Sequence, residues 1–210
     1  WTQAAKTNAS DALAMRIDAA GKVLWTTVLN TSTPNQPPQS EKWHAVAASA
    51  DGQTFVLAGQ RGNANLPNLG GQGWLVQLNA GGQWLWQRDH GGGGHDILYG
   101  IARHPNGGWM AVGARDKATA NQPGDGWVLQ TDAQGLLVKE LTLPGPGDDE
   151  LRAVGWHPLR GWLVAGTRSL AQEKGDTTWS PTYDRGRAWF VRLKDDLTVV
   201  WHSYADYYGQ

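Results

Sequence analysis

Apolar and polar positions alternate in short bursts along this chain, and no burst is long enough for a stable helix. Gly and Pro punctuate it roughly every 8 to 15 residues, with runs rich in Val, Leu, Trp and Phe between them. The pattern predicts many short strands. It also recurs. "GWLVQLNAGGQWLW" (Gly73 to Trp86) aligns with "ALAMRIDAAGKVLW" (Ala12 to Trp25), "GWVLQTDAQGLLVK" (Gly126 to Lys139) and "AWFVRLKDDLTVVW" (Ala188 to Trp201). Between these copies lies a second unit: "WHAVAASADGQTFVLAG" from Trp43, "LYGIARHPNGGWMAVG" from Leu98 and "LRAVGWHPLRGWLVAG" from Leu151.

Each unit is two strands around a tight turn. Asp51-Gly52, Asn106-Gly107, Gly81-Gly82 and Gln134-Gly135 supply the turn chemistry. Two hairpins in series make a four-stranded sheet, with strands a, b, c and d in chain order. Tandem four-stranded sheets are the plan of a β-propeller. On strand a, the small residues Ala45, Gly100 and Ala153 are equivalent, as are Ala47, Ala102 and Gly155, while Val46, Ile101 and Val154 fall between them. Crowded innermost strands require such a small-residue face. The expected fold class is therefore all-β, a β-propeller of four-stranded antiparallel blades, with about 3.5 blades in one segment spanning 1–210. A half blade covers 12–29 and full blades cover about 43–88, 98–141 and 151–202. The half blade lacks strands a and b, which leads to the expectation that the segment belongs to a longer or multi-chain propeller, completed by another segment or chain.

The repeat also sorts the tryptophans. Trp25, Trp43, Trp74, Trp84, Trp86, Trp109, Trp127, Trp162, Trp189 and Trp201 occupy repeating positions and are expected in the core between blades. Trp156, Trp179 and Trp1 break the pattern. Long d–a connections (30–42, 87–97, 140–150) and b–c connections (60–72, 115–125, 167–187) emerge on one face, where function is expected. Candidate binding residues on or near that face are Trp179, Tyr183, Arg185, Trp156, His90, His95 and Arg115.

Chemistry is sparse. His90, His95 and Asp96 have metal-ligand character, but an acid recurs at the same place as Glu41 and Asp149, which fits a loop cap better. No metal site, cofactor or catalytic residue is assigned: no Ser-His-Asp set is linked, no carboxylate pair stands out, and the glycines Gly91 to Gly94 precede a strand rather than a helix. The formal net charge of −1 gives no footprint for nucleic acid, and no apolar run is long enough to span a bilayer as a helix. The absence of Cys excludes disulfides and thiolate chemistry.

The succession Gly91-Gly92 to Asp96, then Asn106-Gly107-Gly108, Val112-Gly113 and Asp125-Gly126-Trp127-Val128 resembles a propeller repeat of bacterial secreted and surface proteins. The fragment Asp18 to Trp25 is similar to the tryptophan repeat of PQQ-type and outer-membrane-assembly propellers, and the repeat as a whole is similar to PQQ-like and WD40-like propellers. The resemblance implies a propeller fold and an extracytoplasmic location (periplasmic, secreted or cell surface). It does not imply one activity. The leading expectation is a non-enzymatic binding or scaffolding module with a protein partner. The alternatives are a lectin-like, glycan-binding propeller using Trp179 and Tyr183, and an enzyme whose site lies partly outside this chain.

Overall fold

The computed structural model describes residues 10–31, 39–63, 71–117, 124–145, 147–169 and 186–205. These residues form fourteen strands and no helix. Sheet I holds β1 (Ala12–Ile17) and β2 (Val23–Leu29). Sheet II holds β3 (Gln39–Ala48), β4 (Thr54–Asn63), β5 (Gln72–Asn79) and β6 (Trp84–His90). Sheet III holds β7 (His95–Arg103), β8 (Trp109–Lys117), β9 (Asp125–Thr131) and β10 (Leu137–Leu143). Sheet IV holds β11 (Glu150–His157), β12 (Gly161–Arg168), β13 (Arg187–Leu193) and β14 (Val199–Ala205). Within every sheet, neighbours in sequence are neighbours in space and run antiparallel.

The turns are set by side chains that cap backbone. Asp18, Asn79 and Asp132 occupy equivalent places, and the Oδ1 of each accepts N–H groups two and four residues on, at 2.8 to 3.0 Å. His104 and His157 do comparable work in the a–b turns, each Nδ1 accepting an N–H two residues on at 3.2 Å. They belong to the turns, as their recurrence implies. β3 begins at Gln39, five residues before the "HAVAAS" run; polar Gln39–Lys42 carry no apolar alternation but pair with the end of β4.

One hydrogen bond repeats at each junction between sheets. The N–H groups of Glu41, Asp96 and Asp149 donate to the carbonyls of Ser10, Gly71 and Gly124, at 2.7, 2.9 and 2.8 Å. Each ties the start of the first strand of a full sheet to the chain one or two residues before β1, β5 or β9 of the preceding sheet. Apolar faces fill the space between. Trp74 packs in the core between sheets I and II, Trp127 between II and III, and Trp189 in the last core cluster, all at most 1% exposed.

Two of the ten repeat tryptophans correct the expectation of a uniform core. Trp84 is 37% and Trp201 is 42% exposed. The reason for Trp201 lies in its equivalents. Trp25 and Trp86 lie against the turn glycines Gly82 and Gly135 of the following sheet, where an added Cβ would come within 2.7 and 2.6 Å of the indole. Among the described residues, no such turn follows sheet IV.

Candidate functional site

The first strand of each full sheet carries one extra residue. Pairing jumps from Trp43–Gly59 to Ala45–Ala58, from Leu98–Gly113 to Gly100–Val112, and from Leu151–Gly166 to Ala153–Ala165. The residues skipped are His44, Tyr99 and Arg152. They are equivalent in the repeat, and each is the unpaired residue of a β-bulge, a device that re-aims a side chain. Glycine on the second strand permits it. A Cβ at Gly59, Gly113 or Gly166 would lie 1.9, 1.7 or 1.8 Å from the carbonyl oxygen of Lys42, Ile97 or Glu150. Thus the "AG" or "VG" within each b strand is a steric condition for the bulge.

β7 packs against β3 on one side and β11 on the other, so the three bulges fall in a row. The rings of His44 and Tyr99 meet edge-on, centroids 5.0 Å apart. The Arg152 guanidinium lies 4.4 Å from the Tyr99 centroid. The Tyr99 hydroxyl donates to Glu150 Oε1 at 3.2 Å, and Glu150 Oε2 also holds Arg152. His44 and Arg152 reach solvent, while Tyr99 is half-buried.

Electrostatics keep the row's rings uncharged. Loss of solvation beside the neighbouring strands lowers the His44 pKa, with the charges of Lys42 and Arg152 adding to the shift and Glu150 opposing it. Burial is the chief cause of a rise in the Tyr99 pKa, reinforced by the nearby Glu150 carboxylate. At neutral pH the row therefore offers a neutral imidazole, a phenol and one guanidinium braced by a carboxylate. These groups stack and hydrogen-bond. The Glu150 carboxylate engages both the phenol and the guanidinium.

The acids that resemble metal ligands are loop clasps. Asp96 Oδ2 accepts the Gly92 N–H at 2.8 Å and Oδ1 accepts the Asp116 N–H at 2.9 Å, joining the loop before β7 to the end of β8. Asp149 Oδ1 accepts the Ser169 N–H at 2.8 Å, and Glu41 accepts the Thr31 N–H at 2.9 Å together with its hydroxyl. Glycine makes room. A Cβ at Gly91 would lie 1.9 Å from Asp96 Oδ2, and one at Gly145 would lie 1.5 Å from Asp149 Oδ2. Burial raises both carboxyl pKa values, that of Asp149 to about 7. Among the described residues, no group of three or more His, Cys, Asp or Glu could hold a metal.

Of the described residues singled out in the sequence, His90 and Arg115 share one cleft, and His95 and Trp156 lie outside its lining. His90 ends β6 at a cleft of about 300 Å³ shared with Arg88, Arg115 and Glu140; burial lowers its pKa. His95 is buried at the start of β7, its ring against Gly71, where a Cβ would approach Nδ1 to 2.4 Å. Arg115 binds Glu140 at 2.8 Å and lies over Trp127 at 5.5 Å. Its equivalents Arg61 and Arg168 lie over Trp74 and Trp189 at 5.6 and 5.3 Å, so Arg115 is one rung of a repeated Arg–Trp brace. Trp156 is 39% exposed on β11, four residues beyond Arg152. Trp179, Tyr183 and Arg185 lie outside the described residues.

The bulge row escapes sequence reading because His, Tyr and Arg share no chemistry that alignment would register. The available signal is the b-strand glycine itself, recurring where the a strand needs an extra residue.

No protein-family model matches the chain, and no curated protein matches it. Among solved structures, a protein of unknown function from Bacteroides caccae aligns with 89% of this chain at 11% identity, with a TM-score of 0.43. This chain spans 66% of that protein's length.

Proposed function

We propose that the chain is a segment of a β-propeller of the secreted and surface type, acting as a non-enzymatic binding module for a protein partner. The propeller reading is supported by sheets of one strand order, joined by one repeated hydrogen bond, with β3, β7 and β11 side by side. The binding reading rests on the bulge row. Three bulges in three sheets bring His44, Tyr99 and Arg152 into one row. Aromatic and guanidinium groups dominate the energetics of protein recognition. An uncharged imidazole and phenol also cost less to desolvate than their charged forms.

Site-specific photocrosslinking tests this. A photoreactive residue is placed at Tyr99 or at Leu159, an a–b turn residue that is 87% exposed. Crosslinking to a protein partner is expected from position 99, with a loss of tenfold or more on Arg152→Ala, and not from position 159. Equal crosslinking from both positions, or none from 99, overturns the reading.

A further inference from the structure

Sheet I has two strands where each other sheet has four. Strands β5, β9 and β13 each lie between two partners, whereas β1 pairs with β2 alone among the described residues. Beside the open edge of β1 runs a groove of about 480 Å³, lined by Met15, Ile17, Trp43, Val46, Phe55 and Leu57 among others. Val46 on its wall is 61% exposed, while its equivalents Ile101 and Val154 are half-buried. The bulge row shows the same vacancy. Arg152 rests on Tyr99 and Tyr99 rests on His44, each on the bulge residue of the preceding sheet. His44 has no such neighbour from sheet I among the described residues.

We propose that this groove seats one additional a–b hairpin of the same repeat. The hairpin pairs antiparallel with β1 through its second strand and sets its bulge residue against His44. The repeat fixes the register. Gly59 pairs with Trp74, Gly113 with Trp127 and Gly166 with Trp189, and Leu13 is the equivalent of these tryptophans in the repeat, so the incoming glycine falls opposite Leu13. The occupant is thus an antiparallel hairpin whose first strand reads apolar, bulge residue, small, apolar, small, and whose second strand carries a glycine beside that bulge. A second copy of this chain cannot supply it from the described hairpins, because β4, β8 and β12 are already paired with β5, β9 and β13. The proposal rests on the repeat and not on the binding face, and it stands or falls separately.

The probe is a 19-residue peptide with the sequence of Glu150–Arg168, titrated into the 210-residue chain. The expected result is one-to-one binding, with at least tenfold slower amide exchange across Ala12–Ile17. The change Gly166→Val in the peptide abolishes binding, since its Cβ would collide with the hairpin's own backbone. The change Val46→Lys in the chain weakens binding at least tenfold while leaving the melting temperature unchanged, because Val46 is exposed in the free chain. Joining the same hairpin to the chain through a Gly/Ser linker raises the melting temperature, and Val46→Lys removes the rise. Absence of protection at Ala12–Ile17 in both formats overturns the proposal. So does protection that is indifferent to either substitution, or a dimer of the chain formed through this groove.

Discussion

Sheet faces inside the stack and sheet faces at its two ends have the same pattern and opposite fates. Val56 and Leu75 on sheet II, and Met110 and Val128 on sheet III, are fully buried; their equivalents on sheet IV, Leu163 and Phe190, are 46% and 37% exposed. At the other end Trp74, Val76 and Leu78 are at most 1% exposed, while their equivalents Leu13, Met15 and Ile17 are 51% to 57% exposed. Burial in this molecule is therefore conferred by the neighbouring sheet and not by the strand that carries the residue. Among the described residues, no further sheet covers these end faces.

The contrast breaks most directly at Trp127 and Leu13, which share one repeat position. Trp127→Ala is expected to cost about 3 to 5 kcal/mol through transfer and cavity terms. Leu13→Ala is expected to cost less than about 1 kcal/mol. Urea unfolding of both variants decides the matter, and equal losses would refute the sealed-versus-open distinction.

The next effect depends on pH and sits at the junction of sheets III and IV. Burial holds the Asp149 pKa near 7, above its value in the unfolded chain. The folded state thus keeps a proton that the unfolded state has already released. This contribution to stability is full below about pH 4 and is lost as pH rises toward about 7, by about 1.4 kcal/mol per pH unit at the steepest. Asp149→Asn should flatten the stability profile across that window in thermal melts taken at successive pH values. A slope identical to that of the parent chain would show that the clasp does not couple to folding.

Asp96→Ala removes both acceptors of its clasp and should cost about 1 to 3 kcal/mol, by leaving two N–H groups near the β7 entry unsatisfied. Faster amide exchange at Gly92 and Asp116, with β9 and β10 unaffected, is the signature. The smallest stability change is expected at an end face. Phe190→Lys should shift unfolding by about 0.5 kcal/mol or less. It should also reduce concentration-dependent association measured by sedimentation, which the sealed faces cannot influence.

Strand positions were legible in the sequence because the strands alternate and repeat. Fourteen strands follow from the two recurring units, and the turn roles of Asp18, Asn79, Asp132, His104 and His157 follow from their recurrence. The recurring acids could be read as caps because Glu41, Asp96 and Asp149 recur where a loop enters a strand. Trp201 was misread because repetition reports a position and cannot report whether a neighbour covers it. The start of β3 at Gln39 was missed because backbone pairing of polar residues leaves no hydrophobic trace. The bulge row was missed because its three members differ in charge, shape and polarity.

That dissimilarity has a consequence for how such a surface changes over time. A bulge residue has no partner across the ladder, so its side chain is not fixed by pairing, and the adjoining glycine leaves room for the local geometry. The flanking positions keep to a narrow vocabulary of apolar and small residues, as in Trp43, Leu98 and Leu151 before the bulge and Ala45, Gly100 and Ala153 after it. Folding thus constrains the frame and leaves the three bulge slots open to substitution, so the surface can be rewritten one character at a time without renegotiating the architecture beneath it.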